Sequence, residues 1–347
     1  GVLMKLGGYG CFRIAMFLLP AATHGFWIKV FLVLTTISIV YGALSACVQT
    51  DLKYINILKE RGYIFESSTR KGYRLIYAPN LLTPLEIDSA LHTETFGRHV
   101  VYLSSTTSTN EEAKKIAREG AEEGTIVVAE EQTGGRGRLT RSFYCPFAKG
   151  IWFTLILRPK FFPMEASKCT LMAAVGVCRG IRRLGLQDAG IKWPNDILYH
   201  GKKLVGILTE MSASMEKIDY IIIGAGINTG MKKSEFPELF RESATSFLAE
   251  GIDVSRKDLL AAILAELEKE YEIAQTQGFD KVLEDWKALS VTLGQDVRVI
   301  MGEENYTGKA VDIDKDGCLL VDTGEKVERV IAGDVSIRPI DAPLPKR

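Results

Sequence analysis

At 347 residues, 46% of them apolar and 25% charged, the chain is long enough for two or three domains and apolar enough for sizeable cores, which excludes a disordered protein. Forty-three basic residues balance forty-three acidic ones, so no global field draws the chain to nucleic acid and any anion site must be local. The six cysteines (11, 47, 145, 169, 178 and 318) lack CxxC spacing and the four histidines lack ligand pairing, which argues against zinc or disulfides and for a reducing, cytosolic catalytic portion.

Residues 30–50, VFLVLTTISIVYGALSACVQT, carry no charge and reach the roughly 20 residues that span a bilayer, so they form a transmembrane candidate. Thr35, Thr36, Ser38 and Ser45 dilute the run and keep a buried soluble helix as the alternative. A signal peptide fits less well, because no clean small-residue cleavage site follows. Residues 58–75 read as strand, turn and strand, with Tyr63, Phe65 and Tyr73 alternating with polar neighbours around a turn at 69–72. Pro79 and Pro84 bracket a linker, and 85–93 predicts a short helix leading into a catalytic domain at about Gly97.

Ser108 and Thr109 each precede a glutamate by three residues, Glu111 and Glu112, and Ala113, Ile116, Ala117 and Ala121 recur at helical spacing. That pattern predicts a helix N-terminus with a capping box at Ser-Thr-Asn. Strands are expected at 125–130 and 151–157, then a buried helix at 166–184. A hairpin follows, with 197–199 going up, 200–202 turning and 204–211 returning. Residues 220–226 read as a buried strand and 257–277 as a long amphipathic helix. After Trp286, short β-like runs at 297–300, 307–313, 318–322 and 327–331 suggest a small antiparallel barrel of roughly 50 residues.

The densest signal is GGRGRLTR, from Gly134 to Arg141. Its glycines let backbone approach an anion and its arginines supply planar donor forks, although a solvated basic turn has the same composition. STN (Ser108, Thr109, Asn110), then Gln132 with the GRGR run, KWPND (Lys192, Trp193, Pro194, Asn195, Asp196), KKLVGIL from Lys202, and GAGIN ending at Asn228 resemble, in this order and at these intervals, the biotin protein ligases. The resemblance covers residues 58–340.

It implies an α/β fold: a mixed-sheet, class II synthetase-like catalytic domain of the biotin/lipoate ligase type at 81–290, then an SH3-like barrel at 291–347. The implied activity is amide-bond formation in two steps: biotin and ATP give biotinyl-5′-AMP and pyrophosphate, and a lysine of a biotin carboxyl carrier domain of acetyl-CoA carboxylase then attacks the mixed anhydride. Two anions must meet, so positive charge and Mg²⁺ are required. By motif position, Lys203, Arg138 and Asp196 are the catalytic candidates, Asp196 also as the Mg²⁺ ligand. Ser108, Thr109, Asn110, Gln132, Arg136, Gly137, Arg138, Lys203 and Gly206 are expected at biotin, whose ureido ring calls for neutral partners. Arg136, Arg138, Lys192, Trp193, Asn195 and Asn228 are expected at ATP, with Trp193 either a core residue or an adenine-stacking wall. Thr140 stands where many relatives carry a glycine, which puts lid flexibility in question.

Residues 1–53 (GVLMKLGGYG, IVYGALSACVQTDLK) look instead like the antiporter-like chain M or subunit 4 of proton-pumping NADH dehydrogenase. Residues 54–80 then read as the wing left from a winged helix-turn-helix, and the seam at 53–57 as a fusion or, as we favour, an assembly error. The expected location is cytoplasmic, with a membrane anchor only if 1–53 is genuine. DNA binding is not expected without recognition helices, and homodimerisation is left open. The competing readings are a lipoate–protein ligase of the same fold, a biotin-operon repressor if an intact DNA-binding domain exists, and a respiratory membrane subunit.

Overall fold

The computed structural model describes residues 55–56, 58–59, 63–68, 72–77, 80–138, 142–301, 304–332 and 335–339, so the apolar run at 30–50 and Thr140 fall outside the described residues. The chain divides into two units, Gly1–Pro79 and Asn80–Arg347. In the first, β1 (Ile64–Ser68) pairs antiparallel with β2 (Gly72–Tyr77), the expected strand-turn-strand.

The second unit is organised by a seven-stranded sheet of β3 (Val100–Leu103), β4 (Ile126–Ala129), β5 (Gly150–Leu157), β6 (Gly190–Lys192), β7 (Asp196–Tyr199), β8 (Lys202–Ala213) and β9 (Ile218–Asn228), in the order β3-β4-β5-β9-β8-β7-β6. Only β3 and β4 run parallel to each other; the remaining pairs are antiparallel. Because strand side chains alternate between faces, this sheet builds two layers at once. Ile151, Phe153, Leu155 and Leu157 of β5 join Ile221, Ile223, Ala225 and Ile227 of β9 in the main core. On that face lie α3 (Cys169–Arg183) and α4 (Arg256–Gln277), followed by α5 (Asp280–Leu289). The opposite face carries Val127, Ile156, Tyr220 and Ile222, covered by Ala113 and Ala117 of α2 (Thr109–Arg118). A short helix α1 (Pro84–Ala90), capped by the Thr83 side chain, precedes the sheet.

One buried ion pair ties the entry of this unit to its core. Arg256 and Glu130 are 1% and 0% exposed and 2.8 Å apart. Arg256 also donates to the carbonyls of Gly150 and Asn80, and Glu130 accepts from the Leu82 amide at 2.6 Å. Every nitrogen of the guanidinium and each carboxylate oxygen therefore has a hydrogen-bond partner, the condition under which a buried pair is tolerable.

The C-terminal strands β10 (Asp296–Met301), β11 (Glu304–Ile313), β12 (Leu319–Asp322), β13 (Val327–Val330) and β14 (Val335–Pro339) form an antiparallel five-stranded sheet, β13-β12-β11-β10-β14. Its core residues Val297, Val299, Leu319 and Val321 are continuous with the main core. Four elements were not anticipated: β3, β6, α5 and β14. The predicted helix at 166–184 starts later, because Pro163–Lys168 forms a 3-10 turn before α3. No helix among the described residues is long and apolar enough to cross a membrane.

Candidate active site

The candidate site lies on the α2 face of the sheet, beyond the N-terminus of α2. Cross-strand register sets its plan. One row runs Trp152, Gly226, Gly206, Asp196 across β5, β9, β8 and β7, the next runs Thr154, Gly224, Leu208, and the third runs Ile156, Ile222, Glu210. Ile156 and Ile222 of the third row are the apolar floor under α2, whereas the first two rows are floored by glycine. Side chains from outside the sheet occupy the space so left: a Cβ at Gly224 would stand 2.0 Å from Asn110 Oδ1, and one at Gly226 or Gly206 would stand 2.9 or 3.0 Å from the Phe143 ring. The result is a trough whose ends differ in chemistry.

The first end is charged. Lys203 and Gly206 are three residues apart and would face opposite ways in a regular strand. A bulge between Ile197 and Leu198, where Ile197 pairs with Val205 but Leu198 with Lys203, brings them to one face. A Cβ on Gly206 would be 3.1 Å from Lys203 Nζ. Lys203 Nζ lies 2.7 Å from Asp196 Oδ1 and 5.5 Å from the centre of the Phe143 ring. The contact with Asp196 is close but poorly aligned, leaving Oδ1 buried without a well-angled hydrogen bond. Arg138 donates to Asn195 Oδ1 at 3.3 Å, and Asn195 is clamped on β8 by bonds to both the amide and the carbonyl of Ile207. The turn that presents this hairpin is His200-Gly201, both with positive φ, 47° and 76°.

The second end presents neutral hydrogen-bonding groups backed by a charged pair, Lys114 and Glu210. The Thr109 amide donates to Gln132 Oε1 at 2.8 Å, with the two side-chain oxygens of this pair 3.1 Å apart. Thr154 Oγ1 lies 2.8 Å from Thr109 Oγ1 and 2.7 Å from Asn110 Oδ1. Asn110 Nδ2 donates to Glu210 Oε2 at 2.8 Å. Lys114 closes the series, 2.7 Å from Glu210 and 2.9 Å from Glu111. Burial opposes the Lys114 charge, but its bonds to the two carboxylates prevail and raise its pKa. Gln132 Nε2 reaches Cys145 Sγ at 3.3 Å, and burial pushes that thiol up to about 12, so it stays protonated.

Several sequence expectations are corrected here. Ser108 sits at the N-cap position of α2 but makes no capping bond, and Glu111 turns to Lys114 instead. Gln132, from another loop, accepts instead from the amide of Thr109, the first residue of the helix. Trp193 is 2% exposed and packs in the core, with its indole N–H on the Gly317 carbonyl at 3.1 Å and its amide on Thr292 Oγ1. No ring face is left for a base, so Trp193 is a core residue rather than an adenine wall. Asn228 is buried and donates to Thr245 O at 3.0 Å, at the end of β9. Lys192 is half-buried and its backbone pairs with Asp196.

Arg136 is exposed and stands toward the first turn of α2, where it adds to the effect of Lys114, the larger cause, in lowering the Glu111 pKa. Gly137, next to it, is half-buried. Thr154, Glu210 and Phe143 were not singled out from sequence. Thr154 reads as a strand former within GIWFTLIL and Glu210 as a surface charge; Phe143, two residues past Arg141, is the one whose position beside the basic loop offered a signal.

A family model described as the biotin/lipoate A/B protein ligase family matches residues 102–228, and one described as the biotin protein ligase C-terminal domain matches residues 292–338. Residues 1–55 match a separate family, the NADH:quinone oxidoreductase/Mrp antiporter transmembrane region. The bifunctional ligase/repressor BirA of Bacillus subtilis is 39% identical over 286 residues, which cover 82% of this chain and 88% of that protein. The biotin–[acetyl-CoA-carboxylase] ligase of Mycobacterium tuberculosis is 32% identical over 245 residues, covering 69% and 88% respectively. Among solved structures, the biotin protein ligase from Aquifex aeolicus in complex with biotin and ATP superimposes with a TM-score of 0.62 at 28% identity, over 70% of this chain and 99% of that one. Since the matches run through both the sheet that floors the trough and the C-terminal strands, the chain belongs to the biotin protein ligase family.

Proposed function

We propose that the trough takes biotin with its ureido ring at the Thr109–Gln132 end and its carboxylate at the Lys203 end, and that the chain forms biotinyl-5′-AMP there before passing biotin to a lysine of a biotin carboxyl carrier domain. The observation that carries this reading is the pairing of opposite chemistries on one glycine floor. Gly224 and Gly226 are two residues apart on β9, roughly 7 Å by strand rise. A ligand lying along them in place of the Phe143 ring meets neutral hydrogen-bonding groups at one end and a cation at the other. Biotin has that polarity, with two ureido N–H donors and a carbonyl far from its carboxylate. The dithiolane of lipoate offers no N–H donor, and the neutral end would then go unused.

In the first step the biotin carboxylate attacks the α-phosphorus of ATP, the bond to the bridging oxygen breaks and pyrophosphate leaves. Negative charge gathers on the carboxylate and α-phosphate oxygens, where the Lys203 ammonium holds both anions together. Arg138, oriented through Asn195, adds a second cation and retains the adenylate. In the second step the acceptor amine attacks the acyl carbon and AMP departs. Magnesium supplies charge neutralisation on the phosphates. Asp196, whose Oδ1 already lies 2.7 Å from Lys203 Nζ, is the residue that would hold the ion.

The domain reading that goes with this is a catalytic domain at 81–290 and a barrel at 291–347, acting in the cytoplasm, with 54–80 a wing remnant and 1–53 no part of the ligase. The decisive experiment incubates the purified chain with biotin, ATP, Mg²⁺ and a carrier domain. Pyrophosphate release and a biotinyl mass increment on a single carrier lysine are expected, with none when lipoate replaces biotin. No transfer from biotin would overturn the reading, and lipoate transfer at a similar rate would establish the lipoate ligase instead.

A further inference from the structure

The neutral end of the trough contains more oxygen atoms than protons to share between them, and this fixes which of them donate. Glu210 is held against the Lys114 ammonium at 2.7 Å, and its carboxylate can only accept. The Asn110 amide must therefore turn its NH₂ toward Glu210, at 2.8 Å, and its Oδ1 toward Thr154, at 2.7 Å. Thr154 is completely buried and has one hydroxyl proton, which that carbonyl claims. Thr109 Oγ1 is within hydrogen-bond reach of two oxygens, Thr154 Oγ1 at 2.8 Å and Gln132 Oε1 at 3.1 Å; with the Thr154 proton on Asn110, the shorter contact takes the Thr109 proton. With its proton spent, Thr109 Oγ1 shows only lone pairs on its other side. There it meets Gln132 Oε1 at 3.1 Å, an oxygen already fixed by the Thr109 amide at 2.8 Å. Two acceptor oxygens thus converge with no proton between them, an arrangement that an N–H from a ligand relieves.

We propose that Glu210 is a positioning residue that, through Asn110 and Thr154, sets Thr109 Oγ1 as a hydrogen-bond acceptor and so tunes this end of the trough to a cyclic urea bearing N–H donors. The inference rests on the ureido ring occupying this end, as argued above. Glu210 itself touches neither substrate, since Asn110 and Thr154 stand between it and Thr109. In Glu210→Gln the side-chain amide can present its own NH₂ to Asn110. The Asn110 amide then turns over, Thr154 donates to Thr109, and the Thr109 proton is directed into the site, where it opposes the ligand N–H.

The test compares the full-length protein with Glu210→Gln, Thr154→Val, the double variant and Thr109→Val, measuring kcat and KM for biotin and ATP, and the preference for biotin over biotin methylated on a ureido nitrogen. Glu210→Gln is expected to raise the biotin KM about 10-fold, the size of one hydrogen bond, while kcat and the ATP KM stay within about twofold. The preference for biotin over its methylated analogue should shrink. Because valine removes the middle of the relay, adding Glu210→Gln to Thr154→Val should change nothing further, whereas a merely structural role for Glu210 would add its full effect. Additive effects, or an unchanged biotin KM in Glu210→Gln while Thr109→Val raises it, would overturn the relay and leave the ureido site standing. An unchanged biotin KM in Thr109→Val would overturn the ureido site itself, and the relay with it.

Discussion

Replacing Lys203 by alanine separates catalytic from structural roles, because the structure allots the side chain little of the latter. Its backbone is anchored independently, with the amide on Ser243 O at 2.8 Å and the carbonyl accepting from Thr245 at 2.9 Å. The side chain is 34% exposed and its partner Asp196 22% exposed, so solvent screens the pair and its loss costs within about 1 kcal/mol. The contact over Phe143 adds roughly 0.5–1 kcal/mol. A stability loss of at most about 2 kcal/mol follows. In the proposed adenylation role the same ammonium faces charge that is still developing, and removing such a group costs about 10²–10³ in rate, near 3–4 kcal/mol.

The expected outcome is pyrophosphate release reduced at least 100-fold at saturating biotin and ATP, biotin binding still detectable by calorimetry, and a thermal midpoint lowered by only a few degrees. Lys203→Arg keeps the charge but moves it, and should fall between alanine and the unaltered protein. Unaltered turnover in Lys203→Ala would refute the assignment. A rate loss matched in full by weaker biotin binding would show that the lysine binds ground state and transition state alike and has no selective role.

Gly224→Ala should weaken biotin binding about 100-fold by calorimetry while leaving the circular dichroism spectrum unchanged, since the new methyl would stand 2.0 Å from Asn110 Oδ1 and must displace it from Thr154 and Glu210. Glu130→Ala should destabilise the fold by about 3–5 kcal/mol in urea titration, because it strands the buried Arg256 charge; a loss under about 1 kcal/mol would mean that the carbonyls of Gly150 and Asn80 suffice for that guanidinium. Arg138→Gly should speed adenylate dissociation more than it slows adenylate formation, with labelling of bystander lysines as the visible consequence; unchanged dissociation would reduce Arg138 to a loop charge. A chain beginning at Asn80 keeps the whole unit Asn80–Arg347 and should biotinylate a carrier domain at the full-length rate, and loss of ligation with an intact fold would show that the preceding residues serve the site.

The features legible in sequence are those written in consecutive residues. The β7–β8 hairpin follows from apolar runs either side of Tyr199-His200-Gly201, and the start of α2 from Ser108 and the alanine spacing behind it. The barrel strands follow from regularly spaced turns, although β14 was not singled out. The site was only half legible, since its plan is a property of strand pairing. Thr154 and Glu210 lie more than 40 residues from Asn110 along the chain and meet it only because β5, β9 and β8 are neighbours in register. The bulge that turns Lys203 onto the face of Gly206 is likewise invisible in KKLVGIL. Trp193 was left as core residue or adenine wall because it stands in the turn between β6 and β7, where no strand alternation says which way a ring points; its burial decides for the core.

The same alternation explains how one sheet supports a packed core and an adaptable site together. Along β9 the odd positions Ile221, Ile223, Ala225 and Ile227 all enter the main core, while the even positions pass from Tyr220 and Ile222 under α2 to Gly224 and Gly226 in the trough. A side chain added at Gly224 therefore meets Asn110, and one added at Gly226 meets Phe143, before either meets the core. The helix covers the apolar stretch and stops where the glycines begin, and its first free amide is used to hold Gln132. Substrate preference can then vary through the glycine floor and the side chains resting on it, while the odd positions and the Arg256–Glu130 pair keep the fold.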